Sequence, residues 1–220
     1  RETIPKYVLY YEPRDIVSGD FYWFHETEDK VIVAAADCTG HGVPGAFVSM
    51  LCNDALNKTI VTLGEQDPGV ILSKVNETVI AAFRKEKATF QANDGMDIAL
   101  CVLDKSKAFL EFAGAMNRML LIRQNELIEY KGDKRAIGGK TEINFEFNTQ
   151  RIELKPKDCV YMFSDGYIDQ FGGVMHGSKQ GGKKFMMKRF KKLILDIHQE
   201  KAEEQKNLLK NTFEEWKGNL

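Results

Sequence analysis

The sequence from residue 31 to residue 47 reads VIVAAADCTGHGVPGAF. An apolar, β-branched run ends in a single acid, Asp37, and three glycines follow as a helical pattern begins. The pattern predicts a buried strand over 30–38 and a helix from Pro44, in a first-turn position, to Gly64. A carboxylate at the exit of a buried strand is costly unless it has a partner. The nature of that partner is the main question that the sequence raises.

Composition limits the classes of protein to consider. The chain has 220 residues, 43% of them hydrophobic, which is enough for one substantial core or at most two small ones. Lys and Arg number 31 against 32 Asp and Glu, so no strongly basic face is indicated and we expect no nucleic-acid partner. No apolar run approaches the ~18 residues of a membrane span, so we expect no direct membrane insertion of this segment. The first residue is Arg1, and we interpret the chain as a piece of a longer protein.

The four cysteines lie within or beside apolar runs and lack the spacing of metal ligands. They are Cys38, Cys52, Cys101 and Cys159. We interpret them as reduced core residues, which favours a cytoplasmic location for this domain. The parent protein is free to be attached to a membrane by another segment.

The periodicity along the chain predicts a mixed architecture. Early strands are expected over 6–11 and 20–27, and a second helix from Asp67 to about Lys87. The pattern then changes to a period of two, which predicts a strand meander over 96–131 and strands over 143–154 and 158–166. A glycine-rich loop is expected over 172–184 and helix over 184–216. Runs of like elements predict an α+β fold with antiparallel sheets and layered helices, in a single domain over 1–220.

Three acids share one setting at the ends of predicted strands. Asp37 and Asp165 each leave a buried strand, and Asp20 begins another, each close to a glycine. Taken singly, each suits an ordinary turn or cap, with Thr39 as the cap beside Asp37. Taken together, they favour a shared cation, and an all-oxygen ligand set suits Mg²⁺ or Mn²⁺ better than zinc.

Five motifs in this order resemble a known family. They are SGDFYW, ADCTGHGVPGAF, DGMDIALCVLD, AGAMN and FSDGYIDQFGG, and they extend the similarity over roughly residues 8–200. The sequence resembles the PPM-type metal-dependent Ser/Thr protein phosphatases, in particular their SpoIIE-like bacterial branch. The resemblance implies an α-β-β-α sandwich of two mainly antiparallel sheets flanked by helices. It also implies two divalent cations, Mn²⁺ or Mg²⁺, in a cleft between the sheets.

The resemblance also implies roles for individual residues at the catalytic centre. Asp20 would hold one metal, and Asp37 would bridge both ions. The backbone carbonyl of Cys38 would complete the set of ligands around a metal. Asp165 would hold the other metal, with Gly166 giving it room.

The family pattern includes one further acid, in an Asp-Asp pair that opens a final strand. The sequence reaches Leu220 without this pair. Either the sequence stops before that strand or the protein lacks it, and the activity of this fragment depends on which holds.

Three other residues near these motifs have two interpretations each. His41 would donate a proton to the leaving oxygen or, as we prefer, only shape the turn. Asp97 would lie near the metals through waters or act at a strand edge. Asp169 suits a supporting or capping role better than direct ligation.

The function that the resemblance implies is hydrolysis of phosphoserine or phosphothreonine on a bacterial signalling protein of the anti-sigma-factor antagonist type. A metal-activated water would attack phosphorus without a phospho-enzyme. An upstream sensor or regulatory domain and a homodimer are implied as well, with the helices at 44–64 and 67–87 as the regulatory surface. The alternatives are a catalytically weak or inactive binding module for a phosphoprotein and a small-molecule phosphoesterase.

Overall fold

The chain folds into two compact units in a computed structural model that describes residues 6–85, 93–173 and 182–218. The larger unit consists of Pro13–Leu121 and Glu129–Ser164. The smaller unit consists of Arg1–Glu12, Ile122–Ile128 and Asp165–Leu220.

Strands and helices follow one another in the order expected of an α+β fold. The strands are β1 (Phe21–Glu26), β2 (Lys30–Cys38), β3 (Gly95–Asp104), β4 (Phe109–Ala115), β5 (Arg118–Arg123), β6 (Glu126–Lys131), β7 (Ile137–Gly138), β8 (Gln150–Glu153), β9 (Cys159–Met162), β10 (Phe171–Gly172) and β11 (Lys183–Lys184). The helices are α1 (Gly42–Asn57), continued by a π-helical turn at Lys58–Thr62, α2 (Pro68–Lys85), α3 (Gly166–Asp169), α4 (Met186–Ile197) and α5 (Ala202–Lys217).

The larger unit is built on an antiparallel sheet in the strand order β1-β2-β3-β4-β8, with β7 paired to β3. A second sheet has the order β6-β5-β9, and β10 pairs with β11. The expected α+β class, with antiparallel sheets and helices, is confirmed. No helix in the described ranges is long and apolar enough to cross a membrane.

The core of the larger unit fixes the direction of the acid at the end of β2. Alternate residues of β2, Ile32, Ala34 and Ala36, pack with α1 and α2 in one buried cluster. Since neighbouring residues of a strand point to opposite faces, Asp37 lies on the face of the sheet away from this cluster.

Two strand predictions are wrong over all or most of their length. Residues 6–11 form no strand, and the ring of Tyr10 packs against Tyr167 and Phe213 instead. Of the predicted strand 143–154, only β8 forms. The N–H of Phe147 donates to Ser73 Oγ at 3.0 Å, so a side chain of α2 takes the place of a strand partner.

Other differences concern how the strands pair, how deeply β9 is buried and where the last helix breaks. The predicted meander is divided, since β3 and β4 belong to one sheet and β5 and β6 to another. Strand β9 is half-buried rather than buried. The helix predicted over 184–216 is broken between α4 and α5. Residues 174–181 of the predicted glycine-rich loop, and Lys87 at the predicted end of α2, lie outside the described residues.

Candidate metal centre

The ends of three neighbouring strands bring predicted site acids onto one face of the sheet. In the β2–β3 register, Asp37 lies directly opposite Asp97. Phe21, the first residue of β1, lies opposite Ala36, so continuing that register would place Asp20 opposite Asp37. Directly opposite residues of a sheet share a face, with Cβ atoms about 5 Å apart. Like charges at such positions repel, so this edge of the sheet suits a cation.

The backbone is packed unusually closely beside these acids. A Cβ atom on Gly19 would lie 2.8 Å from the carbonyl oxygens of both Cys38 and Gly40. A Cβ atom on Gly45, in the first turn of α1, would lie 2.5 Å from the Gly40 carbonyl oxygen. Glycine is therefore required at both positions, and the Cys38 carbonyl, a predicted metal ligand, lies at this meeting point of three segments.

Hydrogen bonds hold the segment that carries Asp20. Its backbone N–H donates to Ser18 Oγ at 3.0 Å, and the Ser49 hydroxyl of α1 lies within donating distance, 3.2 Å, of the Ser18 carbonyl oxygen. The Ser164 hydroxyl donates to Asp20 Oδ2 at 2.6 Å. Asp20 is thereby fixed to α1 and to the chain that follows β9.

The turn after Asp37 is tied to β3 rather than capped by Thr39. Thr39 Oγ1 accepts from the N–H of Gly95 at 3.0 Å, and its own N–H donates to the Gly95 carbonyl oxygen at 2.9 Å. The N-cap position of α1 is His41, which is exposed and makes no side-chain capping bond. The Thr39 capping alternative is therefore wrong, and Thr39 instead fixes the Asp37 turn against β3.

The thiol of Cys38 is kept protonated by its surroundings. A hydrogen bond with Cys52 raises the pKa of Cys38 well above its ordinary value. Burial and electrostatic interactions with Cys52, Asp37 and Asp20 raise it further. The side chain is 2% exposed, and the four cysteines are free. Such a thiol is a poor nucleophile at neutral pH, so the carboxylates are the better candidates for the chemistry of this site.

We expect thiol alkylation at pH 7.5 to leave the function of this site intact. Cys159 is half-buried, whereas the other three cysteines are buried. Burial raises the pKa of Cys159 too, but its partial exposure should let iodoacetamide modify it before the three buried cysteines. Peptide mass spectrometry over a time course measures the order. Rapid modification of Cys38 in the folded protein, with loss of activity, would contradict the assignment to carboxylates.

The remaining predicted site residues lie in the smaller unit. Asp165 is exposed and precedes the four-residue helix α3, whose first residue is Gly166. The Asp165 carbonyl oxygen accepts from the N–H of Asp169 at 2.8 Å, which closes the turn. The carboxylate of Asp169 pairs with Lys184 Nζ at 2.5 Å, in keeping with a supporting role.

The donor atoms of the larger unit fit a hard divalent cation. Asp20 and Asp37 offer carboxylate oxygens, and Cys38 offers a carbonyl oxygen at the glycine contact described above. Oxygen donors of this kind are those that Mg²⁺ and Mn²⁺ prefer. Among the described residues, however, no group of three or more His, Cys, Asp or Glu side chains converges to hold one ion. A metal here would therefore depend on backbone and water oxygens as well as carboxylates.

The glycine beside Asp20, Gly19, was predicted to allow a close backbone approach, and it does. Two other residues that shape this region have no clear sequence signal. Ser164 contacts Asp20 directly. Gly45 lies within a motif, and a close backbone approach at that position has no periodic signal. The adjacent Gly-Asp pair at 19–20 and the Ser-Asp pair at 164–165 were the available clues.

Comparisons with known proteins agree with this architecture. The profile of the family Stage II sporulation protein E (SpoIIE) matches residues 27–219. The SiaA-PP2C domain of Pseudomonas aeruginosa is 32% identical, with a TM-score of 0.80, over 94% of this chain and 77% of that chain. Among curated proteins, none matches significantly.

Two more distant structures share the fold. The PP2C phosphatase domain of SpoIIE from Bacillus subtilis, solved with a fragment of its regulatory domain, is 20% identical with a TM-score of 0.68. The match covers 91% of this chain and 54% of that one, so the chain spans about half of its length. RsbX, solved in complex with magnesium, is 12% identical with a TM-score of 0.60, over 93% of this chain and 83% of that one.

The family profile covers most of the chain, and the SiaA-PP2C domain exceeds 30% identity over nearly all of it. The chain therefore belongs to the SpoIIE family of PP2C-type phosphatase domains, a family of metal-dependent serine/threonine phosphatases.

Proposed function

We propose that this chain is one phosphatase domain that removes phosphate from a serine or threonine of a bacterial signalling protein, of the anti-sigma-factor antagonist type. The observation that carries the proposal is the alignment of Asp37 opposite Asp97, with Asp20 at the next strand end. Like charges held side by side repel one another, and a divalent cation among them would relieve that repulsion.

In this proposal the acids that the family resemblance assigns to the catalytic centre hold two divalent cations, Mn²⁺ or Mg²⁺. Asp20 holds one, Asp37 and the Cys38 carbonyl contribute to both, and Asp165 holds the other. Asp165 directly follows Ser164, whose hydroxyl donates to Asp20, and this adjacency supports its inclusion. RsbX, of the same fold, was solved with magnesium.

The chain's own residues supply position and shape, while the bound cations would lower the pKa of a water and neutralise phosphoryl oxygens. Ser18, Ser49 and Ser164 orient the Asp20 segment. Thr39 fixes the turn that follows Asp37. His41 is exposed at the start of α1, where it shapes the turn.

The first helix supports the proposal of an upstream regulatory domain and a homodimer. Val43, Phe47 and Met50 of α1 are exposed at helical spacing, with 62%, 54% and 68% of their surfaces accessible. The SpoIIE structure of Bacillus subtilis was solved with part of its regulatory domain. A cytoplasmic location suits the four free cysteines.

Hydrolysis of p-nitrophenyl phosphate and of phosphoserine peptides tests the proposal. We expect activity with Mn²⁺ that EDTA abolishes and that added Mn²⁺ restores. The same assay should be run on this chain and on one that continues past Leu220 in the parent gene. Activity of the longer chain alone would show that the additional acid pair is needed; hydrolysis that withstands EDTA would contradict the metal-dependent mechanism.

The alternative is a phosphoprotein-binding module of the same fold. It is favoured by one observation, that no three acidic, His or Cys side chains converge among the described residues. Retained phosphopeptide binding, with neither chain active in Mn²⁺, would establish the module and overturn the enzyme.

A further inference from the structure

The turn that carries Asp165 is too short to be stable by itself. Helix α3 has only four residues, whereas isolated helices shorter than about a dozen residues are marginal in water. A hydrogen bond from the N–H of Asp169 to the carbonyl oxygen of Asp165 closes its first turn. Contacts from elsewhere in the smaller unit must therefore hold the conformation of this turn.

Helix α5 makes such a contact at the start of the turn, through Tyr167. The Tyr167 hydroxyl donates to the Leu209 carbonyl oxygen at 2.8 Å. The ring is surrounded by four other aromatic rings with centroid distances of 5.1–6.1 Å: those of Tyr10, Phe185, Phe190 and Phe213. Burial raises the pKa of Tyr167, so the phenol remains a donor over the physiological range.

Helix α5 makes a second contact at the end of the turn, through Trp216. The indole Nε1–H donates to the Gln170 carbonyl oxygen at 3.0 Å, and the Trp216 carbonyl oxygen accepts from the N–H of Gly173 at 2.8 Å. A Cβ atom on Gly172 would lie 1.9 Å from that same carbonyl oxygen. The chain leaving the turn therefore lies directly against Trp216.

The two contacts come from one face of α5. Leu209 and Trp216 are seven residues apart, which is two turns of the helix. The Arg189 guanidinium of α4 lies 4.7 Å from the Trp216 ring centroid, and Phe185, the residue before α4, packs edge-on to that ring. These two contacts help to hold Trp216. The segment from Tyr167 to Gly173 is thus held at both ends by a single helix.

We propose that Tyr167 and Trp216 are positioning residues that let α5 set the place of Asp165 and hence the affinity of its metal. The inference rests on the proposed function of Asp165 as a ligand. Neither residue touches a metal or substrate in this proposal. If Tyr167 served only to pack the aromatic cluster, its ring would be sufficient. The hydroxyl and its hydrogen bond to α5 would not be needed.

Calorimetric titration of the metal-free protein with MnCl₂ tests the proposal without relying on activity. Tyr167→Phe keeps the ring and removes the hydroxyl, and we expect Mn²⁺ to bind about fivefold more weakly. Trp216→Phe, which keeps a ring and loses the indole N–H, should act in the same direction. Tyr10→Phe is the matched control, since its hydroxyl donates to Glu12 within the same aromatic cluster, and Mn²⁺ affinity should not change.

A double-mutant comparison separates positioning from general stability. In an Asp165→Asn background, Tyr167→Phe should cause no further loss of Mn²⁺ affinity, because the ligand that it positions is already gone. A lower melting temperature with unchanged Mn²⁺ affinity in both Tyr167→Phe and Trp216→Phe would overturn the positioning role. Unchanged Mn²⁺ affinity in Asp165→Asn would instead overturn the assignment of Asp165 as a ligand.

Discussion

Replacing Asp37 with Asn should reduce Mn²⁺-dependent phosphatase activity by about a thousandfold, corresponding to about 4 kcal/mol of lost transition-state stabilisation. The amide keeps the size of the side chain but removes the charge that would bridge both ions. The folded apo protein should be slightly more stable, by about 0.5 kcal/mol, because the repulsion with Asp97 is removed. Steady-state kinetics and urea unfolding in EDTA measure the two effects.

Asp97→Asn is the matched control, because it removes the other charge of the same cross-strand pair. It should give the same gain in apo stability with a much smaller loss of activity. Equal losses of activity in both variants would mean that Asp97 contributes as much as Asp37, which would contradict the proposed bridging role of Asp37.

Replacing Gly45 with Ala should destabilise the protein and weaken Mn²⁺ binding together. Alanine normally favours a helix over glycine by about 1 kcal/mol, so the helix alone would be stabilised. The added Cβ atom, however, would lie 2.5 Å from the Gly40 carbonyl oxygen and 3.4 Å from the Gly19 Cα. Overpacking of this kind costs about 1–3 kcal/mol, and relieving it must displace α1 or the backbone beside Asp20 and Asp37. Thermal unfolding and Mn²⁺ titration measure the two changes.

Gly42→Ala is the control in the same turn of α1. Gly42 has a φ of 61° and no atom within 4 Å of the position of a Cβ, so alanine there would cause backbone strain without a clash. We expect a modest loss of stability and unchanged Mn²⁺ affinity. If Gly45→Ala raised stability and left Mn²⁺ binding intact, the coupling of α1 to the acids through this contact would be wrong.

The regular elements with strong local patterns were predictable from sequence. Strand β2 matches the predicted 30–38 because a turn precedes an apolar run that ends in the Asp37 turn. Helix α1 was expected from Pro44 and begins at Gly42, and Gly64, with a φ of 70°, follows its π-helical extension.

The strand predictions fail where side chains from distant parts of the chain, rather than a neighbouring strand, bond to the backbone. Alternation over 143–154 indicated a long strand, yet Asn76 of α2 donates to the Glu142 carbonyl oxygen and Ser73 accepts from Phe147. Strand β7 has two residues, too few to produce a period. The division of β4 and β5 between two sheets depends on long-range pairing, which no local pattern encodes.

The candidate site was partly predictable, because some of its residues lie in local sequence patterns. Acids at strand ends are visible in sequence, and Asp20 and Asp37 do lie at neighbouring strand ends. The contacts of Ser164 with Asp20, and of Tyr167 with α5, join residues that are far apart along the chain. These two contacts could be identified only from the folded structure.

Anomalous diffraction from crystals soaked in MnCl₂ tests the central claim most directly. If acids from separate strands converge on divalent ions, two manganese peaks should lie within ligand distance of Asp37, one also bound by Asp20 and the other by Asp165. Peaks elsewhere, or Asp20, Asp37 and Asp165 each neutralised by its own lysine or arginine, would contradict the account.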